Sequence, residues 1–419
     1  MLDERPALTI SDDLLHPDIL PDPYPVYAHF REHDPVHWNE VLDSWMIMRY
    51  ADVLATVTNH ERLSSDRTAA FMEYLSPEDR ERFALFAGTR ARMMIYSDPP
   101  RHTRLRGHIN HGMTPRMVES MRARIQAQTD ELIDQALERG RFDVISDLAL
   151  PLPATMNAAL LGVPVEDHEQ LKRWTTDFIN ALSGGGSGLP PDVLQRGQDA
   201  VAALHDYLGA MMEARRRHPT DDLMSAFISA EGHGTLVDDH ELYATCINML
   251  FAGLETVVNL IGNGTIALLR HPDQLALLRR EPGHMRTAIE EFLRYDCPVQ
   301  LVGRLVLDDV EVGGRRFTKG DKLLVVFASA NRDPRQFPDP DRLDVTRREN
   351  RHLTFSQGIH YCAGAALARM EGDIAFSTLL RRLPDFELAP NTQLRWHENV
   401  SFRGLVELPL AYDQTLPAR

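Results

Sequence analysis

The chain has 419 residues, of which 43% are hydrophobic and 25% are charged, as is typical of a packed globular protein and not of a disordered one. Its formal net charge of −16 disfavours nucleic-acid binding and attachment to anionic lipid through a basic face. Three cysteines are too few for a disulfide framework, and the acidic N-terminus is unlike a signal peptide. We therefore expect a cytoplasmic protein without a membrane or nucleic-acid partner.

The hydrophobic pattern predicts one domain over residues 1–419, with a mainly α-helical body and a smaller β-rich lobe. The strands of the lobe are expected in three intervals: about 40–60, 299–327 and 386–412. Gly313-Gly314, in the second interval, predicts the turn of a hairpin. The glycine-rich segment Ser183 to Pro191 is expected to join two helices as a hinge.

Long helices are predicted over 115–139, over 192–217 and over Cys246 to Leu269, where apolar residues recur at helical spacing. The third stretch is the most apolar. It also contains Glu255 and three asparagines, which predicts a buried core helix and not a membrane span.

The most informative stretch is Thr354 to Glu371, with the sequence TFSQGIHYCAGAALARME. Cys362 lies in a glycine-containing loop directly before a helical pattern, where unpaired amides and the helix dipole stabilise a thiolate. Such a shielded thiolate suits an axial ligand of haem iron, although a buried free cysteine or a redox thiol also fits this loop taken alone. The other two cysteines, Cys246 and Cys297, are expected to be small buried hydrophobic side chains.

This loop resembles that of the cytochrome P450 family, which reads F-G-x-G-x-H-x-C-x-G. The matching residues are Phe355, Gly358, His360, Cys362 and Gly364. Ser356 departs from the pattern, because the family usually has a glycine there. The resemblance implies the cytochrome P450 fold, with haem b (iron protoporphyrin IX) between the long central helix and the helix after the loop. It also implies that Cys362 is the iron ligand.

A second match is the pair Glu291 and Arg294, three residues apart on a predicted helix, where a guanidinium grips a carboxylate. Most pairs with this spacing are exposed surface bridges of little energetic value. The resemblance implies a structural role for this pair together with an arginine from the segment before the cysteine loop. We expect that arginine to be Arg342.

A third match is Glu255-Thr256 in the apolar helix. Burying an acid costs free energy unless it is hydrogen-bonded or has a catalytic role. The alternative is a structural one, in which Glu255 and Thr256 are polar core residues whose hydrogen bonds are all made within the protein. The resemblance implies that this acid–alcohol pair delivers protons during oxygen activation. It also implies that Ala252 and Gly253 lie against the cofactor.

The fourth match begins at Asp98-Pro99, which predicts a helix start, and continues with His102 and Arg106 on one helix face. The resemblance implies four ligands of the haem propionates: His102, Arg106, Arg304 and His360. Four hydrogen-bond donors are a chemically reasonable number for binding two carboxylates.

The resemblance extends from about Asp22 to Tyr412 and implies an oxidoreductase, a monooxygenase that inserts one atom of O₂ into a bulky, largely apolar small molecule. Hydroxylation or epoxidation of a macrolide, a polyketide or a related secondary metabolite is expected. A monomer is expected, with electrons from a ferredoxin and a ferredoxin reductase, because the chain has no flavin-binding module. The basic patch expected to dock the ferredoxin consists of Arg104, Arg347, Arg348 and Arg351.

Substrate contacts are expected, from family position, at Met93, Met94, Ile95, Met249, Val299, Leu301, Val302 and Phe402. Two other functions stay open: a peroxide-driven haem-thiolate peroxygenase, and a non-catalytic partner protein similar to a cytochrome P450. The Glu255-Thr256 pair favours oxygen-driven catalysis over both alternatives.

Overall fold

The computed structural model describes residues 10–73, 75–183, 191–231, 238–383 and 385–412. Its α-helices are α1 (Tyr24–His33), α2 (Tyr50–Thr58), α3 (Thr68–Glu73), α4 (Pro77–Arg82), α5 (Ala84–Arg92), α6 (Arg101–Gly112), α7 (Pro115–Ser120), α8 (Arg122–Glu138), α9 (Pro151–Leu160), α10 (His168–Ser183), α11 (Pro191–Arg217), α12 (Leu223–Glu231), α13 (Asp239–Ala252), α14 (Glu255–Arg270), α15 (Pro272–Arg280), α16 (Met285–Tyr295), α17 (Phe327–Ala330) and α18 (Ala365–Arg382). Its β-strands are β1 (Val36–Asn39), β2 (Ser44–Ile47), β3 (Leu63–Ser64), β4 (Phe142–Asp143), β5 (Leu301–Val306), β6 (Val310–Val312), β7 (Arg315–Phe317), β8 (Lys322–Val326), β9 (Phe386–Leu388) and β10 (Pro409–Tyr412). Apart from its two end residues, the predicted hinge Ser183 to Pro191 lies outside the described residues.

The described strands form three sheets. The largest has the order β1-β2-β8-β5-β3, in which β2 and β8 are parallel and the other neighbours are antiparallel. Its register pairs Leu301 of β5 with Val326 of β8. The second sheet has the order β4-β10-β9, and β6 and β7 form a separate hairpin. Gly313 and Gly314 turn this hairpin with φ angles of 59° and 78°, a region that favours glycine, so the predicted hairpin is confirmed.

Two large hydrophobic cores account for most of the buried apolar side chains. The larger core joins the helices, and in it the rings of Phe292 on α16 and Phe376 on α18 lie 4.9 Å apart. The smaller core lies between the five-stranded sheet and helices α1 and α2, with Met46 and Val325 completely buried. The mainly α-helical architecture with a smaller sheet region agrees with the predicted fold class.

The predicted strand intervals contain strands, but they are not continuous β-structure. In the interval 40–60, β2 is followed by helix α2, because Val53 and Val57 recur at helical spacing and are both buried. In the interval 386–412, only the two ends are strands, and β10 pairs with both β9 and β4. Three of the described strands lie outside the predicted intervals: β1 and β3 flank the first interval, and β4 lies between the first and the second.

Two predicted long helices are interrupted, whereas the prediction over 192–217 agrees with α11. The segment 115–139 is divided into α7 and α8 at Met121. The stretch Cys246 to Leu269 is divided between α13, which ends at Ala252, and α14, which begins at Glu255.

In the described part of the chain, the stretch Asp239–Arg270 has the length and the apolar composition of a helix that could cross a membrane. However, 72% of its apolar window is buried inside the fold, which is the behaviour of a core helix. Cys246 and Cys297 are also completely buried, as predicted. Burial raises the pKa of each of these two thiols to about 12.

Candidate functional site

A largely apolar cavity of about 460 Å³ lies among the cysteine loop, the junction of α13 and α14, and strand β5. The predicted site residues that line it are Met94, Ile95, Met249, Ala252, Gly253, Glu255, Thr256, Val299, Leu301, Val302, Arg304, Phe355, His360, Cys362, Gly364 and Phe402. Met93 does not line it, because its side chain is completely buried in the helical core, and the prediction of a substrate contact there is wrong. The fold thus brings five separate sequence segments to one cavity.

Cys362 lies one turn before α18, and its backbone N–H donates to Phe355 O at 2.9 Å, which closes the loop. Burial raises the pKa of the Cys362 thiol, while the Gly364 amide and the cations Arg106 and Arg369 act in the opposite direction. A reactive redox thiol has a lowered pKa, whereas a bound metal cation deprotonates a coordinating thiol outright. This environment therefore suits a metal ligand better than a redox thiol.

The loop around the cysteine contains two residues with positive φ. Gly358 has φ 70°, as expected for a glycine. Ser356 has φ 58°, in the left-handed region that favours glycine, so the serine at this position is strained where a glycine would not be. Its hydroxyl oxygen is buried without a hydrogen-bond partner among the described residues.

The helical ladder opens between α13 and α14. Thr256 Oγ1 donates to Ala252 O at 2.9 Å, so the side chain bonds to the carbonyl of the preceding turn, as predicted from its type. Glu255 lines the cavity beside it, and its Oε2 is buried without a partner among the described residues. Burial raises the pKa of Glu255 to about 7. The site therefore holds a carboxyl that exchanges its proton near neutral pH next to an alcohol.

Gly253 is required at this junction for a reason that the sequence did not reveal. A Cβ at position 253 would lie 2.7 Å from Oδ1 of Asn157 in α9, closer than side chains pack. Asn157 Nδ2 in turn donates to Leu250 O at 3.3 Å. Asn157 therefore braces the open part of the helix. As one amide in an otherwise apolar helix, it gave no signal that could be distinguished from an ordinary core residue.

Three of the four predicted propionate ligands lie together. The rings of His102 and His360 are 4.4 Å apart, and both nitrogens of His102 are buried, with the main chain of Ile359 close to the ring. His360 Nε2 lies 2.9 Å from Ser65 Oγ. Burial lowers the pKa of His102 to about 4 and that of His360 to about 3, so both rings are neutral hydrogen-bonding groups. Arg304 supplies the positive charge; it is only 6% exposed, and burial lowers its pKa to about 10.

The other predicted propionate ligand, Arg106, contacts the protein main chain. Its Nη1 donates to Tyr361 O, one residue before the cysteine, and its Nε donates to Asn110 Oδ1 at 3.1 Å. Arg106 therefore supports the cysteine loop directly in this structure.

Asp98 does not cap α6, so the predicted helix start is wrong. The helix begins at Arg101, and the Asp98 carboxylate accepts from Ser64 Oγ and from Ser65 N, the latter at 3.0 Å. The carboxylate thus ties this segment to the end of β3, next to the serine that contacts His360.

Glu291 and Arg294 are completely buried and form a bidentate ion pair, with both N···O distances at 2.8 Å. The third member of the cluster is Arg347, whose Nε lies 3.1 Å from Glu291 Oε2. Arg342 contributes only its main-chain carbonyl, which accepts from Arg294 Nη2 at 3.3 Å, so the prediction of its guanidinium there is wrong. A chain turn between 342 and 347 decides which arginine points inward, and sequence spacing alone does not reveal it.

The predicted ferredoxin patch is also partly wrong. Arg104 forms a bidentate ion pair with Glu241, and Arg347 is occupied by Glu291. Only Arg348 and Arg351 of the predicted set are exposed.

Several polar residues that line the cavity had no predicted site role, among them Arg67, Arg90, Asn157 and Asn248. None of these four belongs to a recognisable motif. Asn248 lies on α13, and only the fold brings the other three into the same cavity.

The fit of this cavity to a haem follows from its donor set. The neutral ring of His102 has one N–H to donate, and the buried Arg304 has several; two propionates would accept from both side chains. Cys362 supplies a sulfur to the same cavity. Within the described residues, no group of three or more His, Cys, Asp or Glu side chains is arranged to hold a metal ion.

Comparison with known proteins agrees with this geometry. The family model for cytochrome P450 matches residues 40–412. The polyketide biosynthesis cytochrome P450 PksS of Bacillus subtilis is 34% identical, with 93% of this chain and 96% of PksS covered. The 6-deoxyerythronolide B hydroxylase of Saccharopolyspora erythraea is 38% identical, with 97% and 100% covered.

A solved structure is also similar to this chain in fold and in sequence. The myxobacterial cytochrome P450 CYP267B1, in complex with myristic acid, superposes with a TM-score of 0.84 at 38% identity, covering 96% of this chain and 98% of the other. A thiol at the start of α18, an acid–alcohol pair at an open helix and a match over most of the sequence lead to one conclusion: the chain belongs to the cytochrome P450 family of haem-dependent monooxygenases.

Proposed function

We propose that the protein inserts one oxygen atom from O₂ into a bulky, largely apolar secondary metabolite, by hydroxylation or epoxidation. The observation that carries this proposal is that Cys362 and the Glu255-Thr256 pair line one cavity whose other walls are mostly apolar. A cysteine alone is compatible with many functions, but a cysteine and a proton relay around one apolar cavity are suited to oxygen chemistry on a bound organic molecule.

The cofactor proposed here is haem b. Cys362 would hold the iron, and His102, Arg304 and His360 would hold the propionates. When bound, the haem supplies the redox chemistry of dioxygen activation. Cytochrome P450 proteins as a family use haem, and the neutral histidines and the buried Arg304 suit its carboxylates.

In this proposal Glu255 and Thr256 handle protons. Glu255 stays protonated to about pH 7 because burial disfavours its charge, so it can give up a proton near physiological pH. Thr256 Oγ1 donates to Ala252 O and keeps its oxygen lone pairs available to a second donor. The pair thus offers a short route for protons into an otherwise apolar cavity.

The substrate class follows from the lining and from the relatives. Met94, Ile95, Met249 and Phe402 present apolar surface, which favours a bulky, apolar molecule. The names of two relatives refer to polyketide biosynthesis and to hydroxylation of 6-deoxyerythronolide B. We therefore propose a macrolide, another polyketide or a related metabolite as the substrate.

The electron donor in this proposal is a ferredoxin, served by a ferredoxin reductase, and the protein works as a cytoplasmic monomer. Arg348 and Arg351 are exposed and precede the cysteine loop in the sequence, and we propose that they supply positive charge for docking. Charge reversal at both should slow electron transfer in a salt-dependent manner, because steering between exposed charges is screened by salt.

Turnover with NADPH, a surrogate ferredoxin and its reductase, set against turnover with hydrogen peroxide, tests the function. We expect NADPH-driven product formation, and the Thr256→Val variant should form about tenfold less product per NADPH consumed, because it has lost the hydroxyl. Thr265→Val is the matched control. Thr265 makes the same bond, from Oγ1 to Ile261 O at 2.8 Å, but it is buried in the core away from the cavity.

The outcomes separate the three functions. Product with peroxide and none with NADPH would identify a peroxygenase. No product with either oxidant, in a protein that still binds haem, would identify a non-catalytic partner protein. An equal loss of product in both threonine variants would show that the hydroxyl of Thr256 has no special role.

A further inference from the structure

We propose that the substrate carries a carboxylate, which is held in the cavity by Arg67 with Arg90 beside it. This inference names the substrate class of the site described above and rests on the proposed monooxygenase function. It follows from two cationic side chains that face a cavity and have no anionic partner among the described residues.

Arg67 lies between β3 and α3 and lines the cavity. Its Nε is completely shielded from solvent and has no hydrogen-bond partner in the described part of the chain. The guanidinium lies directly on the backbone of Gly303 in β5, so closely that a Cβ at position 303 would overlap it. Arg67 as a whole is partly buried, and its Nε has lost its hydration without gaining a counter-charge, which is unfavourable for a cation.

The position of Arg67 argues against a role with the haem propionates. Successive side chains of a strand point to opposite faces, so Gly303 and Arg304 present opposite sides of β5. The Arg304 side chain lies on the face of β5 that carries the other predicted propionate donors. The Arg67 guanidinium lies against the opposite face, over the backbone of Gly303. The two guanidinium groups are near each other, because the charge of Arg67 adds to burial in lowering the pKa of Arg304, and we assign Arg67 to a second anion on the Gly303 side.

Arg90 adds a second positive charge to the same region. It is 6% exposed and lines the cavity. Its Nη1 donates to Thr68 Oγ1 at 2.9 Å, and its guanidinium carbon lies 4.0 Å from the ring centroid of Tyr96 and 5.4 Å from that of Phe71. These partners are all neutral, and the charge of Arg90 lowers the pKa of Arg67 in addition to the effect of burial. Two neighbouring cations with neutral surroundings attract an anion.

The acidic side chains near the cavity are not counter-ions of Arg67 or Arg90. Glu255 and Glu371 both line it, but burial alone accounts for their raised pKa values, so no arginine acts on either carboxyl. Asp98 is occupied by the end of β3, as described above. The anion that completes the site therefore has to come from the ligand.

The planar fork of a guanidinium matches a carboxylate, which accepts two parallel hydrogen bonds. The remainder of the cavity surface is mainly apolar and extends to Ala252 and Gly253 beside the proton relay. The site thus suits an amphiphile, with a carboxylate at Arg67 and an apolar body that reaches the region of oxidation.

Optical titration of the haem-loaded protein tests this inference, because displacement of the iron-bound water by a ligand changes the haem spectrum whether or not turnover follows. The probes are decanoic, dodecanoic and tetradecanoic acids, each compared with its methyl ester. We expect at least one acid to bind about tenfold or more tightly than its ester, because the ester cannot form the charged pair.

Arg67→Gln should abolish this preference for the acid while leaving the affinity for the ester unchanged. Arg62→Gln is the matched control, because Arg62 is exposed and bonds to Asp309 O outside the cavity. Gly303→Ala is an independent second variant. It keeps both charges but displaces the guanidinium of Arg67, so it should reduce the preference as well.

The inference is overturned if no acid is preferred over its ester, or if the preference persists in both Arg67→Gln and Gly303→Ala. An equal loss of haem or of ester binding in Arg67→Gln also overturns it, because that result would assign Arg67 to the cofactor. The proposed function fails separately, if the wild-type protein retains no haem or its reduced carbon-monoxide adduct lacks a thiolate spectrum.

Discussion

Arg347 Nε lies 3.1 Å from Oε2 of Glu291, a carboxylate that is completely buried and also bound by Arg294. This contact makes Arg347 a member of a buried charge cluster. The cluster fastens the segment before the cysteine loop to α16, because Arg294 also donates to Pro340 O at 2.7 Å.

Charge reversal of Arg347 is therefore expected to destabilise the fold, not to act on electron transfer through a docking surface. Arg347→Glu would place a second carboxylate against Glu291 and should lower the free energy of unfolding by about 3–5 kcal/mol. Arg348→Glu, one residue away on an exposed side chain, should change it by less than about 0.5 kcal/mol. Urea denaturation followed by circular dichroism measures both, and equal stabilities of the two variants would contradict the role assigned to Arg347.

Glu255 predicts a pH dependence of catalysis. Burial raises its pKa to about 7, so the carboxyl is protonated below that pH and ionised above it. The amount of product formed per NADPH consumed should therefore fall as the pH rises through about 7. In Glu255→Gln this decline should be missing, and the yield should be about tenfold lower at low pH, because an amide does not give up a proton.

Glu371→Gln is the control for this profile. Glu371 lines the same cavity from α18, and burial raises its pKa to about 8. We expect the decline near pH 7 to remain in that variant. If the decline disappears in Glu371→Gln and remains in Glu255→Gln, the proton donor has been assigned to the wrong residue.

Asn157 and Gly253 predict a coupled pair of substitutions. Gly253→Ala should destabilise the protein by about 1–3 kcal/mol, because its Cβ would overlap the Asn157 amide. The double variant Gly253→Ala with Asn157→Ala should recover part of that loss, since the smaller side chain makes room. Thermal unfolding of the four proteins gives the coupling free energy, and strictly additive effects would contradict the contact.

The sequence was sufficient for the parts of the site that are local. Cys362 and the helix after it, the Glu255-Thr256 pair and the glycine turn of the hairpin each depend on residues within a few positions of one another. Local backbone preference and helix periodicity decide such features, so they can be read without a fold.

What the sequence did not reveal depends on long-range packing. The choice of Arg347 over Arg342 is made by a turn of the chain against α16, and the need for glycine at position 253 is set by Asn157 from α9. Arg67 becomes notable only because Gly303, more than two hundred residues later, gives room for its guanidinium. Such relationships follow from tertiary contacts, and the spacing of residue types does not encode them.

The identity of Cys362 as the iron ligand is tested most directly by the absorption spectrum of the reduced carbon-monoxide adduct. We predict that the purified, haem-loaded protein gives the spectrum of a thiolate-ligated haem, and that Cys362→Ser does not. A spectrum like that of a histidine-ligated globin, or the same thiolate spectrum in Cys362→Ser, would contradict the account.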